Sequence, residues 1–90
     1  MRIEWTGSAD KHGIPRDETL WAMTHPVEVR QWPPARAGRT VVPTLLVGPS
    51  RFGMLEVLVE ASNGMILVFH SMRLRARTQE KLDQLGGEYS

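Results

Sequence analysis

Asn63-Gly64 stands between two apolar-rich runs, 54–60 and 65–72, and this dipeptide constrains the fold more than any other feature of the chain. Both residues tolerate the positive φ of a type I′ turn, so the two runs are expected to close into a tight antiparallel hairpin. With the turn at these two residues, Ser62 faces Met65. An unbroken ladder then sets Val59 opposite Val68, Val57 opposite His70 and Leu55 opposite Met72. One face carries Leu55, Val57, Val59, Ile66, Val68 and His70 and is the better core face. The other, with Met54, Glu56, Leu58, Leu67, Phe69 and Ser71, is mixed.

Upstream of the hairpin, residues 1–5 read as a short strand with Ile3 and Trp5 on one side. Thr6-Gly7-Ser8 breaks it, and Ser8 suits the N-cap of a single helical turn through Asp10, Lys11 and His12, stopped by Gly13. A second helix begins near Pro15, with Asp17 and Glu18 at the positive end of its dipole. Its inward stripe is Ile14, Leu20, Trp21, Met23 and Thr24, and Pro26 ends it. Residues 27–32 alternate as a strand, 33–38 form a loop, and 40–48 are rich in β-branched and aliphatic side chains. Pro43 calls for an edge position, a bulge or a strand that starts only at Thr44. Residues 48–53 form a turn, and a short helix over 78–85 precedes Gly86-Gly87. Helices segregated from a meander define the α+β class. The expectation is one domain over residues 1–90, a small antiparallel sheet of three or four strands plus the short N-terminal strand, with helices packed on it.

Several functions are excluded by what is missing. Ninety residues support one core but no deep, enclosed cavity. The chain has no cysteine, which removes disulfides, thiolate metal sites and a cysteine nucleophile. His12, His25 and His70 sit in three different elements without metal-ligand spacing, and no phosphate-binding loop or serine elbow is present. No metal or cofactor is therefore expected. No apolar run approaches the ~20 residues of a membrane span, and the opening residues lack the apolar core of a signal peptide, so the expected location is cytoplasmic.

Net charge is only +1, but its distribution is uneven. Residues 29–55 hold Arg30, Arg36, Arg39 and Arg51 without a carboxylate, and residues 65–79 hold Arg73, Arg75 and Arg77 without one. Such stretches are either solvated faces paired with acids elsewhere or an anion-binding surface, for which arginine is the suited side chain. In extended chain, Arg73, Arg75 and Arg77 share a face at roughly 6.5–7 Å spacing, close to a phosphate repeat. His70 is either a core histidine satisfied by backbone or a group that transfers protons or contacts phosphate below those arginines. Lys11 and His12 suit a helix C-terminus for dipole reasons alone, and they also concentrate chemistry there.

Trp5, then Lys11-His12-Gly13-Ile14, then a helix with acids in its first turn resembles the opening of BrnT-type toxins. Val68-Phe69-His70-Ser71-Met72-Arg73-Leu74-Arg75-Ala76 is similar to that family's closing strand, and Glu80 falls where the family carries a Glu in its last helix. The resemblance implies a RelE-like fold, with helices on one side of a small antiparallel sheet. It implies a metal-independent endoribonuclease toxin of a type II toxin–antitoxin pair. Its partners would be RNA and a cognate antitoxin with a DNA-binding domain. Carried over by position, the functional set is Trp5, Lys11, His12 and Arg73, with Arg75 beside them. With His70 from the residues themselves, the expected catalytic set is Lys11, His12, His70 and Arg73. Trp5, Arg39, Arg51, Arg75 and Arg77 are expected on RNA, and Trp32 and Phe52 are loop-side candidates for stacking on bases. The family's Arg entering the strand that ends in Ile-Gly has no counterpart in Val42-Pro-Thr-Leu-Leu-Val-Gly48, and Ala76 is displaced by one position. These departures favour an alternative, a non-catalytic partner-binding module of the same ancestry. A homodimer or antitoxin complex would use Met54, Leu58, Leu67 and Phe69.

Overall fold

The computed structural model describes residues 2–32 and 42–86. Along the chain the elements are β1 (Arg2–Trp5), α1 (Gly7–Asp10), α2 (Arg16–Thr24), β2 (Glu28–Gln31), β3 (Thr44–Gly48), β4 (Leu55–Ser62), β5 (Met65–Arg73) and α3 (Ala76–Gly86). Asn63 (φ 48°) and Gly64 (φ 74°) both take the left-handed conformation, as the type I′ turn requires. The strands form one sheet in the order β1-β5-β4-β3-β2. β2 to β5 are an antiparallel meander, whereas β1 lies parallel to β5, so the sheet is mixed rather than antiparallel. Strand β3 starts at Thr44, after the proline.

The hairpin register holds from the turn to Val59 opposite Val68 and then changes. Leu58 pairs with His70, Val57 with Ser71 and Leu55 with Arg73. Phe69 is thus an extra residue in β5, a bulge that displaces every later pair by one position. Its effect is to exchange two side chains. Ser71 takes the core position expected for His70 and hydrogen-bonds the Thr19 hydroxyl of α2 at 2.7 Å, both residues being fully buried. His70 turns to the face it shares with Glu56 and Leu58.

Helices cover both faces, unlike the one-sided layer the resemblance implies. On one face α1 and α2 bury Ala9, Ile14 and Ala22 against Leu55, Val57, Val59 and Val68. On the other, Leu82 of α3 packs with Leu45 and Val47, flanked by Trp32, Met54, Leu58 and Leu74. Two of the residues expected to form an open apolar surface, Met54 and Leu58, are thereby packed beneath α3, while Leu67 and Phe69 are half-buried.

Of the expected stripe, Ile14 and Met23 pack into the core, while Trp21 and Thr24 turn outward. Helix α2 buries Glu18, Thr19 and Ala22, and Trp21 is 54% exposed with His25 stacked on it at 3.8 Å. Small and polar side chains face inward because α2 lies directly on the backbone of Gly48. The cap of α1 is Thr6, whose hydroxyl accepts from the Ala9 amide, rather than Ser8. Val57 is fully buried at the centre of the first face, so Val57→Ala is expected to lower the unfolding free energy by about 2 kcal/mol in a urea titration, through lost transfer energy and an unfilled cavity.

Candidate functional site

β1 pairs only with residues 65–68 of β5, so the edge of β5 beyond Val68 is left to α1. Thr6 donates its amide to the Val68 carbonyl, and the Ser8 hydroxyl donates to the Phe69 carbonyl at 2.9 Å. These bonds anchor α1 beside the bulge. Gly13, at φ 74°, then turns the chain toward the buried Ile14. Between these two fixed points His12 is held over the open edge, with its ring edge-on to His70, centroids 5.8 Å apart and planes at 73°. A groove of about 420 Å³ adjoins this contact and is lined by His12, Gly13, Ile14, Phe52, Met72 and Arg73.

Beneath His70 lies Glu56, a carboxylate with 1% side-chain exposure. Its Oε2 accepts from His70 Nε2 at 2.8 Å and from the Arg75 Nη2 at 2.7 Å, and its Oε1 accepts from the Arg75 backbone amide at 2.9 Å. Burial pushes the Glu56 carboxyl up. Hydrogen bonds from His70, from the Arg75 side chain and backbone, and from Thr78 outweigh burial and hold it well below the usual carboxylate range. Glu56 is therefore an anion, and it also supplies negative charge at the start of α3.

The structure brings together His12, His70 and Arg73 from the expected catalytic set, with Lys11 exposed beside His12 in the chain. It breaks up the arginine row. Strand β5 ends at Arg73 and α3 starts at Ala76, so Arg73, Arg75 and Arg77 do not share an extended face. Arg75 is ion-paired with Glu56, with its side chain 32% exposed. Arg77 is exposed on α3, whose packing is to the sheet face opposite α1 and α2. Arg51 approaches Glu18 at 3.3 Å while its side chain remains 86% exposed. It borders a second hollow of about 530 Å³ with Asp17, Glu18, Trp21, Pro49 and Ser50. Trp5 is half-buried against the core with the Arg16 guanidinium 5.0 Å from its ring centre, and Arg16 in turn holds the Asp10 carboxyl below the usual range through a hydrogen bond. Trp32 packs into the second core cluster with Lys81 over its ring at 4.8 Å, so its face is not open for a base. Phe52 is 41% exposed in the groove. Arg39 lies outside the described residues.

Glu56 is the member that the sequence pattern concealed. The available signal was one of two acids, with Glu60, in a largely apolar strand, and its partner Arg75 is nineteen residues away. Among the described residues no cluster of histidine and carboxylate side chains could hold a metal ion, and no helix is long and apolar enough to cross a membrane. No protein-family model, curated protein or solved structure matches the chain.

Proposed function

We propose that this protein is a metal-independent endoribonuclease of the BrnT-like toxin type, held in check by a cognate DNA-binding antitoxin in the cytoplasm. The observation that carries the reading is the meeting of His12 and His70. They come from opposite ends of the chain to within 5.8 Å, and His12 also lines the groove that holds Arg73 and the exposed Phe52.

Two imidazoles can divide the proton transfers of RNA cleavage. One takes the proton of the 2′-hydroxyl as its oxygen attacks phosphorus. The other protonates the 5′-oxygen as the P–O bond breaks, leaving a 2′,3′-cyclic phosphate and a 5′-hydroxyl. Arg73 faces the charge that grows on the phosphoryl oxygens. Phe52 offers a stacking surface for the neighbouring base, and Lys11, exposed and next to His12 in the chain, adds positive charge. None of these roles draws on a metal.

The test is cleavage of single-stranded RNA by purified protein in EDTA. Arg73→Ala is expected to lose roughly 10²- to 10³-fold in rate, the scale of removing one preorganised electrostatic group, with an unchanged unfolding midpoint because the side chain is exposed. His12→Ala should fall at least as far. A wild-type protein that cuts no RNA but binds a DNA-binding partner assigns the chain to the non-catalytic alternative, which the missing strand arginine favours.

A further inference from the structure

We propose that Glu56 is a positioning residue that keeps His70 protonated on Nε2, so that Nδ1 is the atom through which His70 exchanges a proton with the substrate; this rests on the nuclease reading above.

An ionised carboxylate only accepts hydrogen bonds. With Glu56 Oε2 at 2.8 Å from His70 Nε2, the hydrogen between them belongs to the imidazole. The neutral ring then has its lone pair on Nδ1. Glu56 cannot swing away to release this arrangement. The Arg75 guanidinium binds it through Nε, at 3.1 Å from both oxygens, and through Nη2, and the Arg75 amide adds a fourth tie from the start of α3. The ring plane is held from the other side by His12.

Nδ1 itself makes no hydrogen bond among the described residues. No buried side-chain nitrogen or oxygen there lacks a partner, so Nδ1 reaches solvent. One nitrogen of His70 is tied to a buried anion and the other is not sealed off from water.

In the reaction, the 2′-hydroxyl gives its proton to Nδ1, and the oxygen's electron pair forms the new bond to phosphorus. The P–O5′ bond breaks, and the departing oxygen takes a proton from His12. Glu56 stabilises the imidazolium that forms on His70, while Arg75 keeps the carboxylate anionic. The charged or titratable groups facing His70 are Glu56 from β4, Arg75 ahead of α3 and His12 from the segment between α1 and α2.

Long-range ¹⁵N–¹H spectra of the imidazole rings, with His70→Gln used to assign the signals, read the tautomer directly. The neutral His70 ring of the wild-type protein is expected to show the Nε2–H pattern. Glu56→Gln should populate the Nδ1–H form and lower kcat on the order of 10²- to 10⁴-fold, with KM changed little. Glu56→Asp, which retains the anion, should recover part of the loss. The wild-type tautomer is read without any Glu56 variant having to fold. An Nδ1–H pattern in a wild-type protein that cuts RNA overturns the proposal alone. An Nε2–H pattern in one that cuts none overturns the nuclease reading, and with it the role of Nδ1. A Glu56→Gln protein with full kcat overturns the positioning role.

Discussion

Gly48→Ala will lower the unfolding free energy by about 3–5 kcal/mol, as read from the shift of the urea midpoint at unchanged slope. Gly48 closes β3 directly beneath α2, and a methyl group there would stand 2.8 Å from the carbonyl carbon of Ala22 and 2.9 Å from its Cα, closer still to its oxygen. All three obstacles are backbone, so no rotamer change relieves them. Helix α2 must lift, and doing so loosens Ala22 and Thr19, each at 0% exposure. The control is Gly7→Ala in α1, where an added methyl meets nothing within 4 Å and stability should change by less than about 0.5 kcal/mol.

Glu56→Leu should cost about as much, roughly 3–5 kcal/mol, because it leaves the guanidinium of Arg75 beside an apolar side chain with its counter-charge gone. The double variant Glu56→Leu/Arg75→Met should be more stable than the single one, since the uncompensated charge is then removed. The same carboxylate sets an acid limit. Its folded-state pKa is depressed from the ordinary value of 4.5. The stability it contributes is therefore complete above that ordinary value and is lost as pH falls toward the folded-state one. Thermal unfolding midpoints recorded across pH 2–7 should drop steeply below about pH 4.5 in the wild type and less steeply in Glu56→Gln.

The parts of the fold that were legible in the sequence are those decided by neighbours along the chain. Asn63-Gly64 sets its turn and Pro43 delays β3 to Thr44, whereas α1 ends at Asp10, short of the Gly13 stop expected for it. The turn and the delayed start are backbone preferences that tertiary packing has no reason to override. The misreadings arise where packing decides. An alternating pattern carries no mark of a bulge, because Phe69 continues the apolar run whether paired or not, so an unbroken register puts His70 on the core face and the bulge turns it to the other. The expected stripe turns Trp21 inward, but α2 lies on the backbone of Gly48, where Thr19 and Ala22 fit and an indole does not. In the candidate site, His12, His70 and Arg73 were legible as residues able to do chemistry, and the arginine row was not, because nothing local marks the end of a strand at Arg73. Glu56 and Arg75 could be recognised as a pair only once β5 and α3 had been folded back over β4.

The parallel pairing of β1 with β5 has a consequence for the order of assembly. Arg2 meets Met65 and Trp5 meets Val68, contacts that close a loop spanning most of the chain and repay its entropy only after β5 exists as a template. The β4–β5 hairpin, joined by a two-residue turn, comes first, and the N-terminal strand docks late. Because α1 follows β1 after a single residue, His12 arrives with it. The groove is thus the last part of the molecule to be built, and a partly folded chain carries Arg73, His70 and Glu56 without the second imidazole.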